Sequence, residues 1–108
     1  MLDEEIRRKL FREVCCSGDL SKLIEFTQKY NITMDEVKSK DNYIFRSTCY
    51  EGLLLVAQWL VEKFELTKQD IQSKENFALR KTCKYGQVIT TKWLLDSFYS
   101  QEDALEMS

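Results

Sequence analysis

A chain in which like residues recur every 34 positions is constrained to stack like units, and this one keeps that spacing in three registers at once. Arg12, Arg46 and Arg80 form one ladder, Cys15, Cys49 and Cys83 a second, and Gly18, Gly52 and Gly86 a third. Residues 42–75 and 76–108 align without a gap, pairing Asn42 with Asn76, Thr48 with Thr82, Trp59 with Trp93, Leu60 with Leu94 and Phe64 with Phe98. The first unit, about 8–41, is more diverged but keeps residue type at core positions, with Phe11 for Phe45, Phe26 for Leu60 and Tyr30 for Phe64. The expected organisation is one domain over 1–108, divided into units of about 8–41, 42–75 and 76–108.

Within the second unit, Asn42 is expected to cap a helix to about Glu51, whose inward face carries Phe45, Thr48 and Cys49 at helical spacing. Gly52 is expected to end it in the left-handed conformation that glycine adopts without steric cost. A second helix from about Leu54 to Phe64 places Leu54, Ala57, Leu60, Val61 and Phe64 on one side. Thr67 followed by Asp70, and Thr33 followed by Glu36, have the spacing of a capping box, so a short helical turn should connect successive units. Proline is absent and no segment alternates at period two, so the chain reads as all-α.

This pattern resembles ankyrin repeats. Tyr43-Ile44-Phe45-Arg46 stands where that family usually has a Thr-Pro-Leu-His tetrapeptide, Thr48-Cys49 where it has paired alanines, and Gly52 at the break between helices. The combination with a Trp-Leu in the second helix is similar to divergent ankyrin repeats of giant viruses and protists. The resemblance implies an ankyrin-like helical repeat solenoid of about three helix-turn-helix units, with the usual β-hairpin fingers replaced by short helical connecting turns. Tetratricopeptide repeats share the 34-residue period and are the alternative fold, although their helices carry small residues where this chain has Gly52 and bulky Trp59.

The resemblance also assigns roles. Arg12, Arg46 and Arg80 take the place of the histidine that links neighbouring units, and a guanidinium can bond loop carbonyls while stacking on an aromatic ring; anion binding is their alternative role. Residues just before each glycine would face the concave groove: Cys16 and Ser17, Tyr50 and Glu51, Lys84 and Tyr85, with Glu13, Ser47 and Lys81 one turn earlier. They vary between units while the core does not, as a recognition surface would, and two tyrosines supply contact area at low entropic cost. Plain solvation of these side chains is the competing reading.

Trp59 and Trp93 are expected in the core between successive outer helices. Cys15, Cys49 and Cys83 are expected to face inward as free thiols, at a spacing too wide for disulfides, and Cys16 to be the exposed, reactive one. A zinc site lacks ligand spacing, and the chain has no histidine. No cofactor or metal is expected. Missing histidine also argues against general acid-base catalysis at neutral pH, no glycine loop cradles phosphate, and Asp3, Glu4 and Glu5 are explained as favourable charges at a helix N-terminus. An enzyme is therefore the disfavoured reading.

With a net charge of −2 there is no general attraction to nucleic acid or anionic membranes, and neither is expected as a partner. No secretory signal or membrane-length apolar stretch is visible, and free thiols suit a reducing compartment, so the expected location is cytoplasmic or nuclear. The functional expectation is an adaptor or inhibitor that binds a protein through the groove, acting as a monomer or with weak self-association. The alternative is a structural module that stacks through its repeat ends. The tail is expected to place Leu105 where Val37 and Ile71 stand in earlier units.

Overall fold

The computed structural model describes residues 3–99, and among these described residues seven helices follow one another with no strand. They are α1 (Glu4–Cys16), α2 (Leu20–Lys29), α3 (Met34–Tyr50), α4 (Leu54–Lys63), α5 (Lys68–Ile71), α6 (Ser73–Lys84) and α7 (Val88–Phe98). The body measures 48 × 22 × 20 Å. The position expected for Leu105 lies outside the described residues.

The starts of α1, α2, α3 and α5 follow their side chains, whereas α4, α6 and α7 start without a side-chain cap. Asp3 accepts from the Ile6 amide at 3.0 Å and Asp19 from that of Lys22 at 3.0 Å, while Glu4 and Glu5 add negative charge to the first turn of α1. Both expected capping boxes form, Thr33 with Glu36 and Thr67 with Asp70. The acids also reach other elements: Glu36 pairs with Arg7 at 3.0 Å, and Asp70 with Lys38 at 2.9 Å.

The glycine ladder closes each helix pair in the same way. Gly18, Gly52 and Gly86 have φ of 78°, 75° and 74°, and the latter two amides donate to the carbonyls of Cys49 and Cys83 at 3.0 Å. A side chain would be strained in that conformation at any of the three.

A second repeated irregularity breaks α3 and α6 and departs from the sequence expectation. Asn42 does not cap a helix from an extended conformation. Lys40, Asp41 and Asn42 have φ of 52°, 56° and 60°, all left-handed, and Lys74, Glu75 and Asn76 repeat this with 55°, 53° and 62°. Each such residue costs roughly 1–2 kcal/mol, asparagine least. The turns are held by the arginine ladder. Arg46 donates from Nε to the Asp41 carbonyl and from Nη2 to that of Lys40, both at 3.0 Å, and Arg80 does the same to Glu75 at 2.8 Å and Lys74 at 3.2 Å. The recurrent Asn-x3-Arg is thus one device: asparagine allows the left-handed turn and the guanidinium fork clamps it.

The core is one apolar cluster running along the body, with Phe11, Cys15, Leu23, Val37, Phe45, Cys49, Val56, Leu60, Ile71 and Leu94 essentially inaccessible. Trp59 and Trp93 pack half-buried beside it, each with its ring edge-on to a phenylalanine five residues later, Phe64 at 5.9 Å and Phe98 at 5.4 Å. Cys83 departs from its repeat mates. Cys15 and Cys49 are fully buried, whereas Cys83 is exposed on α6, where no following helix pair covers it among the described residues.

Candidate functional site

The residues expected to line the groove are carried by the last turns of α1, α3 and α6 and by the caps that follow. The structure joins some of them into a patch. The rings of Tyr50 and Tyr85 meet edge to face with centroids 5.3 Å apart, and Lys81 places its ammonium 5.8 Å from the Tyr85 centroid. Gln87 fixes the arrangement from behind by donating its amide to the Tyr50 carbonyl at 3.2 Å. Tyr85 remains 55% exposed, enough ring to be covered by a partner.

Glu13, Ser17, Glu51 and Lys84 are exposed. Charge therefore changes sign along the row, acidic at Glu13 and Glu51 and basic at Lys81 and Lys84. Ser47 is a correction: it is wholly buried, its hydroxyl 3.4 Å from that of Tyr50, so it supports the tyrosine and has no surface of its own to offer. Cys16 is a second correction, since it is half-buried and not the exposed thiol of the chain. Burial first, and then the Glu51 carboxylate beside it, push its thiol up to about 11, which suppresses the thiolate at neutral pH. Cys83 is the accessible cysteine instead.

Besides the bonds of Arg46 and Arg80 to the carbonyls of the preceding turns, the arginine ladder links the units through ring faces. Its order is Arg12, Tyr43, Arg46, Phe77, Arg80, with guanidinium carbons 5.1 Å (Arg12) and 5.6 Å (Arg46) from the Tyr43 centroid, and 4.6 Å (Arg46) and 5.7 Å (Arg80) from that of Phe77. Arg46 has an aromatic ring from its own unit and one from the next, a desolvated setting in which cation–π attraction is strongest.

One surface the site expectations missed is an apolar edge at the starts of α4 and α7, where Leu55, Val88 and Ile89 are 67%, 75% and 73% exposed. Leu55 and Ile89 are themselves 34 apart, so a repeated aliphatic on the solvent side was the available signal. Among the described residues no group of three His, Cys, Asp or Glu side chains could hold a metal ion, and no helix is long and apolar enough to cross a membrane. Comparison with protein-family models, curated proteins and solved structures finds no match for this chain.

Proposed function

We propose that the protein is an ankyrin-like repeat adaptor or inhibitor that binds a protein partner on the face carrying Tyr50 and Tyr85. The observation that carries this reading is the tyrosine pair, with Tyr85 exposed and Tyr50 half-buried against it. Its members come from different helices, are buttressed by Ser47 and Gln87, and stand beside charges of both signs. Rigid tyrosines flanked by charged side chains are the usual anchors of protein recognition, because they bury much area while losing little rotamer freedom. The ankyrin-like assignment is supported by the repeated helix pairs, glycine breaks and arginine clamps at one spacing. A cytoplasmic or nuclear location is part of the same proposal.

Affinity capture from extracts of the source cells, comparing the native chain with Tyr85→Ala and Tyr50→Ala/Tyr85→Ala, tests it. A captured protein lost with the variants at unchanged melting temperature supports groove binding, and equal capture by all three chains rejects the assignment. Self-association is the second reading, favoured by Cys83, Val88 and Ile89, which are exposed on α6 and α7. Light scattering separates the two, because a mass that climbs with concentration favours stacking.

A further inference from the structure

The repeat supplies its own template for a ligand site. Where the turn within α3 meets the start of α6, four donors converge on one acidic turn. Arg46 bonds the carbonyls of Lys40 and Asp41, Ser73 donates its hydroxyl to the Asp41 carbonyl at 3.1 Å, and the Lys74 ammonium lies 3.7 Å from the Asp41 carboxylate. The left-handed turn thus brings a carbonyl and a carboxylate to a basic junction.

Where α1 meets the turn within α3, the same donor types stand at matching positions, as Arg12, Ser39 and Lys40, but the acidic turn is missing. Residues Ile6 to Arg8, which correspond to Lys40 to Asn42, continue as regular helix within α1, so no carbonyl is turned outward to them. The asparagine that permits the left-handed turn is replaced by Arg8. In consequence Arg12 Nε is buried with no hydrogen-bond partner, Ser39 turns its hydroxyl back to the Glu36 carbonyl at 2.9 Å, and Lys40 makes no ion pair among the described residues.

The space left is a cavity of about 260 Å³, lined by Arg8, Lys9 and Arg12 of α1 and by Ser39, Lys40 and Tyr43 of α3. Four of these are cationic. Among the described residues Glu5 is the single acid on the lining, and it pairs with none of them within 4.0 Å. Tyr43 holds the Arg12 guanidinium against its ring, fixing the fork in place. A buried, unsatisfied guanidinium donor costs free energy that a negatively charged acceptor recovers.

We propose that this cavity is an anion-binding site for a carboxylate or phosphate group, seated where the Asp41 carbonyl and carboxylate sit at the next junction. Arg12 supplies the directed donor, and Arg8, Lys9 and Lys40 supply the surrounding charge. Arg12 also lies against the Tyr50 side chain, so Tyr85→Ala, which leaves Tyr50 in place, is the variant that separates this site from the adaptor reading.

The test is a ¹⁵N NMR titration of the whole chain with inorganic phosphate and, separately, with N-acetyl-aspartate, at constant ionic strength set by chloride. Saturable shifts of the amides of residues 8–12 and 39–44 and of the Arg12 Nε–H are expected. Arg8→Gln and Lys40→Gln each remove one charge from an accessible position and should weaken binding about tenfold, the effect of losing one charge-assisted contact. Lys22→Gln, on α2, should leave it unchanged. Tighter binding of phosphate assigns a phosphorylated ligand, and tighter binding of N-acetyl-aspartate an acidic peptide. Shifts that never saturate, or affinities identical in all variants, overturn the proposal.

Discussion

Replacing Arg46 by alanine should be among the most damaging single changes in the chain, and the loss can be worked from its contacts. Arg46 is only 7% exposed, and its two bonds to the carbonyls of Lys40 and Asp41 are charge-assisted and part-buried. Such bonds contribute about 1.5 kcal/mol each. The rings of Tyr43 and Phe77 add roughly 0.5–1 kcal/mol apiece. Together these give about 4 kcal/mol for Arg46→Ala, and removing the clamp leaves the three left-handed residues held only by the weaker Ser73, Lys74 and Asn42–Asp70 contacts. Arg80 makes the same two bonds, but it is exposed and meets only Phe77, so Arg80→Ala should cost about 1 kcal/mol. Arg46→Lys retains the charge but not the two-pronged geometry, and should fall between.

Urea unfolding followed by far-ultraviolet circular dichroism and by fluorescence of Trp59 and Trp93 measures all three variants. On heating, the 4 kcal/mol loss corresponds to a fall in Tm on the order of 15–30 °C for a domain of this size. Equal losses for Arg46→Ala and Arg80→Ala, or a loss below about 1 kcal/mol for Arg46→Ala, would show that the clamp and its ring contacts do not hold the turn.

Thiol labelling of the native protein near neutral pH should modify Cys83 first and Cys16 much more slowly, with Cys15 and Cys49 reacting only on unfolding; mass spectrometry of peptides after timed quenching reads the order, and early labelling of Cys15 or Cys49 would contradict the burial. Acid should weaken the link between α1 and α3. Burial alone would raise the Glu36 carboxyl, but the Arg7 guanidinium and the Thr33 amide outweigh it and hold the group below the ordinary carboxylate range. The stability it contributes is therefore fully present above the unfolded carboxyl's pKa, and is lost as pH falls from there through the depressed folded value. Glu36→Gln should accordingly flatten the decline of unfolding free energy over that acidic window, and a slope equal to that of the native chain would exclude the pair as a source.

Much of the fold was legible because the constraints that repeat are local. Helical spacing of Phe45, Thr48 and Cys49, glycine at each break and the Thr-to-acid capping boxes act within a few residues, and all appear as read. The left-handed turns at Lys40–Asn42 and Lys74–Asn76 were not legible, because runs of non-glycine residues in that conformation are disfavoured and persist only where a guanidinium several residues later binds their carbonyls. Ser47 illustrates the same limit at the candidate site. Its repeat position is shared with Glu13 and Lys81, but in the middle unit neighbours on both sides bury it.

The sequence by itself determined the helix pairs, their 34-residue spacing and the identity of the residues that cap and break them, because those depend on backbone geometry and short-range hydrogen bonds. Only the tertiary structure decided which members of each ladder are alike. Cys83 is exposed where Cys15 and Cys49 are buried, and Arg12 is left with an unpaired Nε where Arg46 is clamped, because burial and hydrogen-bond partners depend on what lies on either side of a unit in the stack. Repetition in the chain makes units equivalent in composition, and the ends of the described array make them unequal in environment.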